Sequence, residues 1–126
     1  MKKKRVLVGG TFNVLHPGHI FFLKKAKMLG DELIVVLAND KTARKNGKLF
    51  SPASERKRLL SSLKFVDRVV IGAWPKNEEK FVKKFKPDII AIGYDQKIGP
   101  GLKKLKNVRI VRIRKYGNYS SRKIIK

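Results

Sequence analysis

The sequence contains no cysteine among its 126 residues. Disulfide bonds, thiolate metal ligands and cysteine nucleophiles are therefore excluded as ways to hold the fold or carry a reaction. A chain without cysteine is compatible with a reducing compartment, and we expect a cytoplasmic location. Histidine is almost as scarce, because only two are present. Any chemistry that needs an imidazole must come from those two positions.

Long apolar runs are missing as well. No stretch approaches the roughly 20 apolar residues that a membrane-spanning helix needs. The lysines at positions 2 to 4 lead directly into a strand pattern, without the apolar segment of a signal peptide. We therefore expect a single domain, residues 1–126, with no membrane partner. The sequence leaves the oligomeric state open between a monomer and a homodimer.

Acidic residues are few, with 9 Asp and Glu against 32 Lys and Arg, which gives a formal net charge of +23. A field of this size attracts polyanions, including nucleic acid. The basic residues are spread through every segment rather than gathered in one arm. We therefore attribute the charge to the organism or to an anionic substrate, and do not expect nucleic acid as a partner. A basic nucleic-acid-binding module stays open as the alternative from another functional class.

One motif of glycine and histidine residues occupies positions 9–19, directly after the apolar run of residues 6–8. Two glycines follow the run, and both histidines of the chain, His16 and His19, then flank Pro17 and Gly18. Glycines let the backbone approach a polyphosphate, and a proline suits the first turn of a helix. We expect the N–H groups of Gly18 and His19 to attract anions. A zinc site at the two histidines is less well supported than an anion site, because a third ligand is not evident.

The rest of the chain alternates between strand and helix patterns. A continuous apolar run at residues 33–38 indicates a parallel strand buried on both faces, and further strands are predicted at residues 69–71, 88–92 and 108–113. Helical spacing is found at residues 20–29, from 51 to about 63, at 77–85 and at 102–105, with a final turn from residue 120. Residues 39–49 are polar and basic and predict a loop. The sequence thus predicts an α/β fold with helices on both faces of a parallel sheet, and ligands at the carboxyl ends of the strands.

The motif resembles the G-T-F-D-x-x-H-x-G-H signature of the nucleotidyltransferase superfamily, in its cytidylyltransferase-like branch. Every fixed position matches except Asn13, where the branch usually has Asp. Weaker resemblances follow in order at residues 64–70, at the Gly93–Tyr94–Asp95 turn, at Arg114 and at residues 119–124. The resemblance implies a single Rossmann-like domain with five parallel strands in the order 3-2-1-4-5.

This resemblance implies an enzyme that joins a nucleoside monophosphate to a phosphorylated acceptor and releases pyrophosphate. Within the branch, the sequence around residues 30–36 and the Tyr119–Ser120–Ser121 ending look more like archaeal FAD synthases, which use ATP and FMN. The alternative is a cytidylyltransferase that uses CTP and glycerol 3-phosphate or a similar polyol phosphate. A divalent ion, Mg²⁺ above all, is the implied cofactor, and no residue is assigned as its ligand.

Particular residues take roles in this hypothesis. The catalytic residues are His16, His19, Lys45 and Arg114. The nucleotide-binding residues are Gly10, Thr11, Phe12, Asn13, His16, His19, Gly93, Asp95, Tyr119, Ser120 and Ser121. The acceptor would contact Arg56, whose guanidinium fork suits phosphate, and Trp74, which could stack on a flavin or lie in the core. Tyr94 is a second candidate for stacking.

Overall fold

The computed structural model describes residues 3–13, 15–45, 47, 51–74 and 78–115. Within them, five strands form one parallel sheet in the order β3-β2-β1-β4-β5. The strands are β1 (Arg5–Gly10), β2 (Glu32–Ala38), β3 (Arg68–Gly72), β4 (Ile89–Ile92) and β5 (Arg109–Arg112). The helices are α1 (Pro17–Met28), α2 (Asp40–Lys45), α3 (Ala53–Ser61), α4 (Glu78–Phe85) and α5 (Pro100–Lys103). The predicted fold class and the strand order 3-2-1-4-5 are confirmed.

The sheet is covered on both faces because its central strands are apolar on both sides. Val6 and Val8 of β1 belong to one buried cluster, which includes Leu23 of α1 and Leu60 of α3. Leu7, between them, belongs to a second cluster with residues of α4 and α5. Successive side chains of a strand point to opposite faces, so a strand buried on both faces has a continuous apolar run. Because both faces of these strands are covered, a ligand site is expected at the ends of the strands rather than on a face.

The prediction of a loop over residues 39–49 is wrong for its first half, because α2 occupies Asp40–Lys45. The side chain of Asn39 accepts a hydrogen bond from the N–H of Thr42 at 2.8 Å, which caps the start of this helix. Ala43 is fully buried and anchors the helix to the core. Arg44 and Lys45 lie in the last turn, where positive charge is favoured by the helix dipole. The Asn39 cap and the burial of Ala43 stabilise this helix despite its polar composition.

Other boundaries differ from the predictions by one to three residues. Helix α1 begins at Pro17, as the proline of the motif predicted, which is three residues before the helical spacing found at residues 20–29. His16 is therefore the N-cap residue, and His19 lies in the first turn of the helix. The final helical turn predicted from residue 120 lies outside the described residues. Among the described residues, no helix is long and apolar enough to cross a membrane.

Asp67, the residue before β3, connects β2 with α1 through its hydrogen bonds. Its carboxylate accepts hydrogen bonds from the Lys27 ammonium at 2.6 Å and from the Leu33 N–H at 2.7 Å. Partial burial raises the pKa of Asp67, but the hydrogen bonds from Lys27 and Leu33 outweigh it, and the net pKa is lowered. Asp67 therefore has a structural role.

Candidate active site

The glycine turn after β1 and the turn after β4 lie side by side, because these two strands are neighbours in the sheet. Leu7 of β1 pairs with Ile90 of β4, so both strands end at the same edge. Strand order also reverses here, since β2 follows β1 on one side and β4 lies on the other. Parallel sheets bind ligands at such a switch point. The motif at residues 9–19 is therefore located where a ligand site is expected.

A cleft of about 1080 Å³ opens at this edge. It is lined by the turn after β1, the start of α1, the turn after β4 and the residues that follow β5. Most of the predicted site residues line it: Gly10, Thr11, Phe12, Asn13, His16, His19, Gly93, Asp95 and Arg114. The structure thus brings together residues that are as much as 104 positions apart in the chain, from Gly10 to Arg114.

His16 is the residue that caps the N-terminus of α1. Its backbone is extended, with φ −137° and ψ 173°, and its Nδ1 accepts a hydrogen bond from the Gly18 N–H at 3.0 Å. His19 completes a reciprocal capping box, because its Nδ1 accepts a hydrogen bond from the His16 N–H at 3.3 Å. In each neutral ring the proton must then be on Nε2, since Nδ1 is the acceptor. Both imidazoles therefore have Nε2–H as their donor group.

The two imidazole rings are stacked, with centroids 3.9 Å apart and planes inclined by 29°. The rings of Phe12 and His19 make an edge-to-face contact with centroids 5.3 Å apart, and the backbone of Phe12 has a positive φ of 50°. Positive φ is unfavourable for a bulky residue and concentrates at functional sites. A Cβ on Gly18 would lie 2.8 Å from Cε1 of His16, so a larger residue there would force the imidazole ring to shift. The surroundings of the pair are thus built to fix its orientation.

The capping arrangement corrects one expectation. The N–H groups of Gly18 and His19 were predicted to attract an anion directly. In the structure, the Gly18 N–H donates to Nδ1 of His16, and the His19 N–H donates to the carbonyl of His16 at 2.9 Å. His16 thus occupies both backbone donors. Hydrogen bonding to an anion at this point would come from the imidazole Nε2–H groups instead.

Positive charge dominates the lining of the cleft. Arg114 and Lys115 line it, and Asp95 is the one acidic residue among the described residues that do so. The Arg114 guanidinium lies over the ring of Phe21, 4.8 Å from its centroid. The Lys115 ammonium lies over the ring of Tyr94 at 5.3 Å. A concave site with this excess of cations attracts polyphosphates.

Lys45 and three predicted residues near the C-terminus are not among the described residues that line the cleft. Lys45 is the exposed last residue of α2, and the described residues that line the cleft do not include it. Gly47, two positions further on, does line the cleft. Tyr119, Ser120 and Ser121 lie outside the described residues.

The structure does not support the predicted contact of Arg56 with an acceptor, because its side chain is fully buried and does not line the cleft. Its guanidinium donates to the carbonyls of Ser51 at 2.8 Å, Thr11 at 2.9 Å and Ala38 at 2.7 Å. It also forms an ion pair with Asp40 at 2.7 Å. Arg56 therefore binds the carboxyl end of β2 and the turn after β1 to the start of α3. The guanidinium fork suits carbonyls and a carboxylate as well as phosphate, which is why sequence reasoning misassigned it.

Trp74 lies in the core, so its predicted stacking on an acceptor is not supported. Its side chain is 5% exposed and belongs to the buried cluster that includes Phe81 of α4. A Cβ on Gly9 would overlap the indole ring, so glycine is required there for close packing on β1. Of the two alternatives for Trp74, the structure supports the core role. Tyr94, which is 50% exposed and lines the cleft, remains the candidate for stacking.

Sequence reasoning missed Gln96 and Lys115. The Gln96 side chain bonds to the turn after β4 and to the carbonyl of Gly9 at 3.3 Å. Its signal was a polar amide three positions after the glycine of a turn, a spacing at which a side chain can close the turn. Lys115 follows Arg114 directly, so the basic position after β5 is a pair rather than a single residue.

No protein-only metal site is present among the described residues, because they include no group of three His, Cys, Asp or Glu side chains that could hold an ion. Asn13 and Asp95 line the cleft and have oxygen atoms of the kind that Mg²⁺ binds. Mg²⁺ in nucleotide enzymes is commonly bound by one or two side chains together with substrate phosphates. The donor set fits a metal of that kind.

The Cytidylyltransferase-like family model matches residues 7–126 of this chain. The match covers the cleft and nearly the whole sequence. The chain therefore belongs to the Cytidylyltransferase-like family, as the motif at residues 9–19 predicted.

Within this family, the chain is similar to proteins named FAD synthase in archaea. It is 52% identical over 97 residues to the one from Thermococcus kodakarensis, which covers 75% of this chain and 65% of that protein. It is 45% identical over 130 aligned positions to the one from Thermoplasma acidophilum, which covers 97% of this chain and 91% of that protein. The chain thus spans just under two thirds of the length of the Thermococcus relative.

A solved structure shares the fold closely. It is described as a lipopolysaccharide core biosynthesis protein from Thermoplasma volcanium and is 47% identical, with a TM-score of 0.82 over 91% of this chain and 99% of that chain.

Proposed function

We propose that this protein is a nucleotidyltransferase that transfers the adenylyl group of ATP to the phosphate of FMN, giving FAD and pyrophosphate. The observation that carries the proposal is the stacked pair of His16 and His19 in a cation-lined cleft, with Nε2–H as the donor of each ring. Family membership supports a nucleotidyltransferase. The archaeal relatives named FAD synthase support ATP and FMN as the substrates.

The reaction would be an in-line displacement at phosphorus. A phosphate oxygen of FMN attacks the α-phosphorus of ATP, the bond to the oxygen bridging the α- and β-phosphorus atoms breaks, and pyrophosphate leaves with that electron pair. Such transfers depend on positioning and on stabilisation of negative charge. The Nε2–H groups of His16 and His19 would donate to oxygens on which charge increases. No general base is needed, because the attacking phosphate is already an anion.

Cations around the cleft would hold the β- and γ-phosphates. Arg114 and Lys115 line the cleft directly. Lys45 remains a proposal, supported by its place two residues before Gly47, which also lines the cleft. The Ser120–Ser121 segment remains a proposal that rests on its resemblance to the family alone.

A divalent ion would enter with the nucleotide and supply Lewis-acid support at the phosphates. The Asn13 amide oxygen and the Asp95 carboxylate are the side chains in the cleft suited to hold it. Asn13 is neutral where the family usually has Asp, so the nucleotide phosphates would provide most of the negative charge around the ion.

The acceptor is the least constrained part of the proposal. FMN has a flat aromatic ring system, and Tyr94 presents a half-exposed ring at the cleft. Offset stacking of two aromatic rings contributes about 0.5–1.5 kcal/mol beyond buried area. A polyol phosphate has no ring to stack, so Tyr94 would contribute little to its binding.

A substrate screen tests the proposal. Each of the four nucleoside triphosphates is combined with FMN or with glycerol 3-phosphate in the presence of Mg²⁺, and pyrophosphate release is measured. We expect the highest rate with ATP and FMN. A higher rate with CTP and glycerol 3-phosphate would replace the FAD synthase proposal with the cytidylyltransferase alternative. Release in no combination, with steeply salt-dependent oligonucleotide binding, would favour the nucleic-acid-binding alternative. The cytoplasmic location and the single domain over residues 1–126 stay predictions.

A further inference from the structure

The turn after β4 is closed by a pair of reciprocal hydrogen bonds. The Gly93 N–H donates to Oε1 of Gln96 at 2.7 Å, and the Gln96 N–H donates to the Gly93 carbonyl at 3.2 Å. The same Gln96 amide donates from Nε2 to the carbonyl of Gly9, at the end of β1. The turn is thereby attached to the strand whose own turn leads to the histidine pair.

Arg112 holds this turn from the neighbouring strand. It is paired with Ile92, the last residue of β4, in the parallel register. Its Nη1 donates to three carbonyls, those of Gly93 at 2.9 Å, Tyr94 at 3.1 Å and Gln96 at 2.8 Å. Three carbonyl dipoles that converge on one point repel one another unless a cation lies between them. The guanidinium is that cation, so the shape of the turn depends on it.

Arg112 is not among the described residues that line the cleft, whereas Gly93, Tyr94, Asp95 and Gln96 all are. An effect of Arg112 on a bound nucleotide would therefore pass through the turn rather than through direct contact. The histidine pair is held separately, by its own capping hydrogen bonds at the start of α1. Disturbing the turn should consequently weaken ligand binding more than it slows the chemical step.

We propose that Arg112 is a positioning residue for nucleotide binding, which holds the Gly93–Gln96 turn in the shape that presents Asp95 and Tyr94 to the cleft. This inference rests on the proposed nucleotidyltransferase function, since it assumes that the turn contacts the nucleotide.

The test compares Arg112→Met with Arg109→Met. Arg109 is an exposed residue of the same strand, and its replacement removes the same charge, so the comparison cancels any general loss of attraction for phosphates. We expect Arg112→Met to raise the KM for ATP and the dissociation constant for ATP without acceptor about tenfold. We expect kcat to stay within about twofold of the starting protein, and Arg109→Met to change neither quantity.

Two further variants separate positioning from a general structural role. Arg112→Lys keeps a cationic nitrogen with three donors and should restore most of the affinity. Gln96→Met removes the other support of the turn and should reproduce the rise in KM. The inference is overturned by equal ATP affinity in the Arg112→Met and Arg109→Met variants, or by a fall in kcat with unchanged affinity. If the starting protein binds none of the four nucleoside triphosphates in calorimetry, the proposed function fails and this inference fails with it.

Discussion

His16 and His19 hold each other in place through the backbone of α1. Nδ1 of His19 accepts the N–H of His16, Nδ1 of His16 accepts the N–H of Gly18, and the two rings are stacked at 3.9 Å. One set of hydrogen bonds therefore caps the helix and also fixes the proton of each neutral imidazole on Nε2. The same two side chains thus have a structural role and a proposed catalytic role. An alanine variant would remove both roles at once, and its effect on activity could not be assigned to either.

Variants that keep the cap separate these two roles. Asn is among the best capping residues, and Gln is favoured at the third position of a capping box, so His16→Asn and His19→Gln should keep the helix stable. Each removes an imidazole Nε2–H, and we expect kcat to fall by at least about a hundredfold, as when one donor to a developing oxyanion is lost. Steady-state kinetics and thermal unfolding measure the two effects. Near-normal kcat in both variants would disprove the catalytic assignment.

Arg56→Met is expected to destabilise the protein. It leaves the carbonyls of Ala38 and Thr11 without their donor, and a buried polar group left unsatisfied typically costs about 1–3 kcal/mol. Denaturant unfolding measures this loss. Arg58→Ala, at an exposed position of the same helix, is the control and should change stability by less than about 0.5 kcal/mol. A raised KM for the acceptor with unchanged stability would show instead that Arg56 contacts the acceptor, as the sequence predicted.

Asn13→Asp tests how the metal is held. If the nucleotide phosphates supply most of its charge, an added carboxylate in the cleft should preserve activity and lower the Mg²⁺ concentration needed for half-maximal rate. Activity is titrated against Mg²⁺ in both proteins. Complete loss of activity would show instead that the Asn13 amide makes a contact that a carboxylate cannot replace.

Glu78 should make stability fall as pH rises. Burial raises the pKa of its carboxyl group, and the adjacent charge of Glu79 raises it further. A raised pKa in the folded state favours the protonated form, so the stabilisation present at low pH is lost as pH rises through the folded-state value. Glu78→Gln cannot ionise and should increase Tm at neutral pH, with the gain vanishing near about pH 4. Glu55→Gln, at an exposed position in the first turn of α3, removes the same charge without relieving burial and should not increase Tm at neutral pH.

The sheet could be predicted because its central strands contain continuous apolar runs such as residues 33–38, which are typical of burial on both faces. The histidine pair could be predicted because both histidines are in one motif. Helix α2 was missed because its stability comes from the Asn39 cap and from burial of Ala43, neither of which changes its polar composition. The roles of Arg56 and Arg112 depend on carbonyls brought together only by folding, and no local pattern reveals such partners.

The most direct test of the account follows flavin fluorescence while the protein acts on ATP and FMN. In FAD the adenine stacks on the flavin ring and quenches its emission, so adenylyl transfer is seen as a fall in fluorescence. We predict a fall that matches pyrophosphate release mole for mole in the starting protein and is nearly absent in His19→Gln. Constant fluorescence, together with pyrophosphate release from CTP and glycerol 3-phosphate, would contradict the account.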